Sequence, residues 1–261
     1  MGIFQFFTPT NGGNFSISYM MAANSFTDGD VLFKNLCDYR RDIADRLAHQ
    51  NQTWVGMGEP YVDDEVGGSA FPYGYSASSQ EVLTYAFIAA YSGKKADHVS
   101  LQLFNKVALP NWTINFTGLT KIPALKKIFK TINLTHSYKS TLAISAWAAN
   151  INYNSSNQMA VFTGTNTRIP EYDISQILLN EQYSPLLGIT LAFNNSLTPS
   201  IEYKKSRTVT LGFSNNQITE VNGREIVIGL GYTFKDLGFN MSFLDGSNAR
   251  RSEENTSELQ S

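Results

Sequence analysis

The chain reads as all-β in the main, a segment of a very large antiparallel transmembrane β-barrel with two or three inserted helices, and three observations predict it. Segments after Pro110 alternate with period two, one face large and apolar, the other small or polar. That second face carries Gly, Ser, Thr and Asn, where the wet face of a soluble sandwich usually carries Lys, Glu and Arg. Charge is also sparse: charged residues make up 16% of the 261, against roughly 25% in an ordinary soluble domain, while aromatics reach 13%.

Each element has its own local reason. From about residue 13, Phe15, Ile17, Tyr19 and Met21 fall on one side and Asn14, Ser16 and Ser18 on the other, which predicts a strand. A helix over about 29–51 follows, capped by Asp28 or Asp30. Leu32, Leu36, Tyr39, Ile43 and Leu47 form its apolar stripe, and Lys34, Asp38, Arg40, Arg41, Asp42, Asp45 and Arg46 are left to water. Residues 55–78 crowd Gly, Pro, Asp and Ser without a period and predict a loop. A second helix, 79–92, is expected to open with a capping box of Ser78 and Glu81 and to close near Gly93. After Pro110, strands are predicted over 112–118, 131–138, 141–153, 186–193, 200–213, 225–234 and 237–243, with one short helix over 123–130.

The last strands give the clearest faces. Leu187, Ile189, Leu191, Val209, Leu211, Phe213, Ile226, Ile228, Leu230, Tyr232, Phe234, Phe239, Met241 and Phe243 are expected to face lipid. Thr190, Thr208, Thr210, Gly212, Gly229, Gly231, Thr233 and Asn240 are expected to face a hydrated lumen. Tyr203, Phe213, Tyr232 and Phe234 stand at strand ends, where aromatic girdles form. Lys205 and Arg207 keep the parity of Ile201 and Val209, and the parity survives the charges. The strand is therefore expected to rise above the apolar band at that point. Seven to ten strands broken by helices suit a piece of a larger barrel better than a complete small one.

Composition excludes several chemistries. A net charge of −2, from 20 basic and 22 acidic residues, offers no basic face for nucleic acid. The single Cys37 rules out an intrachain disulfide framework and a cysteine-cluster metal site. No stretch approaches the ~18 apolar residues of a membrane helix. His49, His98 and His136 lack paired spacing, and Asp63, Asp64 and Glu65 lack the alternating ligands of a calcium loop. Tyr73, Gly74 and Tyr75 are read as packing, and Gly229 with Gly231 lies on a strand face with no helix after it, unlike a phosphate loop. No acid, base, nucleophile or metal constellation is left, so the reading is of a non-enzyme without a cofactor.

Four blocks taken together carry a resemblance: SQEVLTYAFIAAYSGK (79–94), LPNWTINFTGLTKIPALKKIFKTINLTHSYKST (109–141), EQYSPLLGIT (181–190) and IEYKKSRTVTLGFSNNQITEVNGREIVIGLGYTFKD (201–236). The chain resembles the C-terminal part of the SprA/Sov family over most of residues 15–245. These are very large outer-membrane proteins of Bacteroidetes that form the translocon of the type IX secretion system and are linked to gliding motility. The resemblance implies location in the outer membrane at the cell surface, secreted protein cargo, a lateral opening, and a PorV-like shuttle and a periplasmic plug protein as partners, beside outer-membrane lipid. Other outer-membrane transporters or porins, and a secreted soluble β-rich adhesin, are the alternatives that share the alternation. Residues 251–261 read RSEENTSELQS, one residue away from the translation of a common sequencing-library adapter. They are set apart from residues 1–250 as an expected artefact, and the natural chain is expected to continue at both ends.

Overall fold

The structure is a computed structural model and describes residues 11–51, 61–63, 69–104, 106–154 and 167–234. Its main body is one antiparallel sheet built on a spine. The strands in chain order are β1 (Gly12–Ser18), β2 (Tyr61–Asp63), β3 (Ser69–Phe71), β4 (Trp112–Phe116), β5 (Phe129–Ala149), β6 (Tyr172–Asp173), β7 (Gln176–Phe193), β8 (Leu197–Gly212) and β9 (Gln217–Tyr232). The helices are α1 (Gly29–Gln50), α2 (Gln80–Ser92) and the single turn α3 (Pro123–Lys126). The 21-residue β5 is the spine. β7, β8 and β9 extend the sheet from one of its edges, and β6 pairs its upper end. The other edge is lined in tandem by β1, opposite Thr141 to Ala148, and β4, opposite Leu134 to Tyr138.

That tandem arrangement locates the helices. β1 and β4 are two halves of one sheet position, both antiparallel to β5, and everything between them is inserted at mid-sheet. The junction is tied down: Tyr19 N donates to Ser140 O at 3.1 Å, Leu109 N to Ser18 O at 3.1 Å, and Ser140 N to the Asn111 side chain at 2.9 Å. The insertion carries η1 (Ala22–Asn24), α1, the β2/β3 hairpin and α2, and it folds over one half of one face of the sheet.

α1 forms where its stripe predicts. Asp28 caps it by accepting from Asp30 N at 3.0 Å, and Leu32, Leu36, Ile43 and Leu47 are buried, with Tyr39 packed at the margin. α2 has no polar side; Val82 through Ser92 are all buried, as befits a helix at the centre of a core. Its predicted capping box is corrected. The N-cap is Ser79, its hydroxyl accepts from Ser76 N at 2.8 Å rather than from the helix, and Glu81 turns away to pair with Arg168. The helix ends at Gly93, left-handed at φ 76°, and a Cβ there would lie 2.7 Å from the Ala23 methyl. Gly93→Ala is expected to lose at least about 1–2 kcal/mol, read as a lower thermal midpoint, because the left-handed penalty and the clash act together.

The predicted strands among the described residues coincide with β1, β4, β5, β7, β8 and β9 but differ in length, and two corrections stand beside them: β2 and β3 form inside the stretch 55–78 expected as loop, and residues 176–185 and 217–224 are strand where none is predicted. Predicted strands at 131–138 and 141–153 are one continuous β5, and 186–193 is the lower half of β7. Polar residues in their middles break the apolar pattern, and the β5/β7 ladder continues through them with register shifts at Phe129/Thr131 and Thr135/Tyr138. Register slips between Tyr183 and Leu187, where Ser184–Pro185 is cis, and between Gly13 and Phe15. The short helix predicted over 123–130 is the four-residue α3. The sheet is open: among the described residues nothing pairs the outer edge of β9 or the outer edges of β1 and β4. The predicted strand at 237–243, with Phe239, Asn240, Met241 and Phe243, lies outside the described residues, as do residues 251–261.

Candidate functional site

Pairing fixes which residues share a face. Leu211, Val209, Arg207, Lys205, Tyr203 and Ile201 of β8 align with Ile177, Leu179, Glu181, Tyr183, Leu187 and Ile189 of β7, and with Ile218, Glu220, Asn222, Arg224, Ile226 and Ile228 of β9. β5 supplies Ile144, Leu142, Ser140 and Tyr138 to the same face. This one face has three zones along the strands.

In the upper zone Ile144, Leu142, Ile177, Leu179, Val209 and Leu211 join the helices in one hydrophobic core with Phe15, Trp147 and Phe104. Val209 and Leu211 are each 1% exposed, and Phe213 and Ile218 pack at the margin. The expectation that Val209, Leu211 and Phe213 face lipid is therefore corrected: protein covers them. Alternation cannot distinguish a face covered by helices from one covered by lipid.

In the lower zone the same face is uncovered toward β9, while Ile132 of β5, opposite Leu191, is buried. Ile226, Ile228 and Leu230 are 66%, 77% and 76% exposed, and Leu187, Ile201, Tyr232 and Phe234 are exposed as well. Ile189 and Leu191 belong to this zone and are half-buried. The zone ends in rings: Phe129 against Phe193 at 4.7 Å and Tyr232 against Phe234 at 4.8 Å. The opposite sheet face carries Thr190, Thr208, Thr210, Gly212, Gly229 and Gly231. Three of its glycines are closely approached: a Cβ on Gly188 would meet the Thr135 hydroxyl at 2.1 Å and the Pro185 ring at 2.9 Å, and one on Gly223 or Gly229 a serine hydroxyl at 2.5 Å that could rotate away.

Between the zones runs a buried polar row that sequence reading did not assemble. Glu181 and Arg207 are buried, with Glu181 Oε2 and Arg207 Nη2 3.7 Å apart and no hydrogen bond on either atom. The other carboxylate oxygen accepts from Ser25 Oγ at 2.6 Å and from Tyr138 OH at 3.0 Å. Arg207 Nη1 donates to Asn24 O at 2.9 Å, and Lys205 Nζ donates to Ser25 O. Lys205 Nζ also lies 3.9 Å from the centre of the Phe26 ring. Met21 N donates to Tyr138 OH at 2.9 Å, and Ser25 Oγ lies 2.7 Å from Tyr183 OH. Trp112 stacks on Tyr138 beside it with centroids 4.4 Å apart, and Tyr183 meets Tyr138 at a tilt, centroids 4.9 Å apart. The inserted segment 21–26 is thus clipped to the sheet at the lower boundary of the helical cap. The strand runs unbroken through Lys205 and Arg207, with its parity kept. The signal was present in the sequence as charges standing at apolar positions; their partner, Ser25, lies 156 positions from Glu181 and could not be read.

Other candidates stay apart. His98 Nδ1 is 2.7 Å from Asp97 at the surface, and His136 Nδ1 is 2.6 Å from Leu186 O. His49 is on α1, and Cys37 is half-buried at the core margin. Tyr75 is buried in the core, while the side chains of Asp63, Asp64 and Glu65 lie outside the described residues. No group of three or more His, Cys, Asp or Glu able to hold a metal comes together among the described residues, and no helix among them is long and apolar enough to cross a membrane. Burial pushes the Glu81 carboxyl above its ordinary range, and Arg168 works against that shift. No known family model matches the chain, and no curated protein matches it.

Proposed function

We propose that this chain is a wall segment of an outer-membrane protein-conducting β-barrel, of the kind that forms the type IX secretion translocon and is linked to gliding motility. The observation that carries the reading is the division of one sheet face at the Glu181 and Arg207 row, with protein above it and bare Leu, Ile, Tyr and Phe below it.

The dimensions support it. β7, β8 and β9 are 18, 16 and 16 residues long, whereas a membrane-spanning strand needs about 9–11. Each strand is long enough to cross a bilayer and continue beyond it, and the helical cap covers the continuation. About eight residues of β8 separate the row of Lys205 and Tyr183 from the rings at the lower end. At ~3.3 Å per residue and a strand tilt of ~40°, that is roughly 20 Å, a little under the ~25 Å apolar band of barrel proteins. β7 and β8 meet below the band in the short turn Asn194 to Ser196, and the large insertion leaves above it, at the mid-sheet junction of β1 and β4.

In this reading Leu187, Ile189, Leu191, Ile226, Ile228, Leu230, Tyr232 and Phe234 meet lipid. Thr190, Thr208, Thr210, Gly212, Gly229, Gly231 and Thr233 form a lumen wall whose small neutral groups hold passing cargo weakly. The open edges await neighbouring strands, since an unpaired edge in hydrocarbon costs several kcal/mol per group. Secreted proteins are the cargo, and the PorV-like shuttle and periplasmic plug are the partners. Deleting the gene for the parent protein is expected to strip the cell surface of exported proteins and retain them in the periplasm. Normal export with loss of small-solute uptake would make the barrel a nutrient transporter instead.

A further inference from the structure

The helical cap holds a cavity of about 350 Å3, remote from the bare apolar zone and walled by α2, the 101–104 stretch and the segment around Tyr172. One wall is a part-buried ion pair: Arg168 Nη1 donates to the two Glu81 oxygens at 2.8 and 2.7 Å. Beside it the Thr84 hydroxyl, in a residue 1% exposed, has no hydrogen-bond partner and lines the cavity. A buried hydroxyl left unpaired costs about 1–3 kcal/mol, so a guest that bonds it recovers that cost. Tyr153 and Tyr172 are half-buried in the same lining, with the Arg168 guanidinium 5.8 Å from the Tyr153 ring centre and Phe104 and Trp147 in T-shaped contact with Tyr172, and Gln50 and Gln102 bring side-chain amides to the rim. Burial first, and then a hydrogen bond to Glu171, push the Tyr172 hydroxyl up to about 12, so it stays protonated with its proton given to Glu171.

The charges select against ionic guests. Arg168 and Lys106 are matched by Glu81 and Glu171, which leaves no net charge to attract a phosphate or a metal ion. The α2 backbone along the wall is bonded within its own helix, so an extended peptide finds no free main-chain edge there. What the cavity offers is ring faces, amides and hydroxyls at the lower end of the usual ligand-pocket range of roughly 300–1,000 Å3.

We propose that this cavity binds one or two units of a neutral saccharide, with the C–H face of a sugar ring on Tyr153 or Tyr172 and its hydroxyls on Thr84 and the rim amides. The inference rests on the cap alone and holds whether or not the sheet below faces lipid.

The test is titration calorimetry of the folded full chain in a detergent without a sugar headgroup. Glucose, N-acetylglucosamine and maltose are the probes, and inorganic phosphate and a blocked trialanine peptide are the controls. The expected result is saturable binding of at least one sugar in the millimolar range or tighter, with neither control bound. Tyr172→Ala is expected to weaken that binding at least about tenfold, through loss of the stacking face. Thr84→Val, which keeps the shape and removes the hydroxyl, is expected to weaken it severalfold while leaving Tm unchanged or higher. The proposal is overturned if no sugar binds, if phosphate or the peptide binds instead, or if both variants bind sugar as the unsubstituted chain does.

Discussion

Arg207→Met is expected to destabilise the cap and sheet by about 3–5 kcal/mol, seen as a large fall in the urea midpoint followed by the near-ultraviolet signal of the buried aromatic cluster. The reason is the carboxylate left behind. Glu181 is buried, and Arg207 is the only cation in ion-pair distance of it among the described residues. Adding Glu181→Gln should recover most of the loss, because the amide oxygen still accepts from Ser25 and Tyr138 while the uncompensated charge is gone. A single variant with an unchanged midpoint, or a double variant as weak as the single, would show that the row does not clip the insertion to the sheet. By contrast Arg41→Ala should change little, since its pair with Asp45 is a half-exposed i, i+4 contact on α1 worth at most about 0.5 kcal/mol.

The second large effect concerns the bare zone. Ile228→Arg should cost about 2–4 kcal/mol of membrane insertion, the penalty for a cation on the lipid face near mid-bilayer, and should reduce the amount of protein that floats with outer-membrane vesicles. Thr190→Arg stands at the same height on the opposite face, since Thr190 pairs with Ser200 and Ser200 with Gly229. It should insert normally, because a lumen-facing cation remains hydrated. Equal loss for both substitutions would mean that the two faces share one environment.

The sequence carried the parity of β8, of the lower half of β7 and of the last part of β9, the stripe of α1 and the end of α2 at Gly93, because each depends on residues within a turn or two of one another. It also carried the anomaly of Lys205 and Arg207 on an apolar face. Their burial was not legible, because Asn24, Ser25 and Phe26 reach them only through the insertion between β1 and β4. The same gap explains Val209, Leu211 and Phe213: Leu, Val and Phe alternate identically under a helix and under lipid. The capping box failed for a similar reason, since Arg168, 87 positions away, competes successfully for Glu81. The cavity lined by Thr84 was invisible for want of any local motif, because its lining comes from segments far apart in the chain.

The account turns on whether the lower half of the sheet face meets lipid. The most direct measurement labels single cysteines, Ile228→Cys and Thr190→Cys, with a fluorophore in a Cys37→Ser background of the membrane-inserted protein. Quenching by nitroxide on lipid tails is then compared with quenching by a water-soluble nitroxide. The account predicts that the label at 228 is quenched from the lipid and the label at 190 from water. Quenching of both labels from water alone would contradict it.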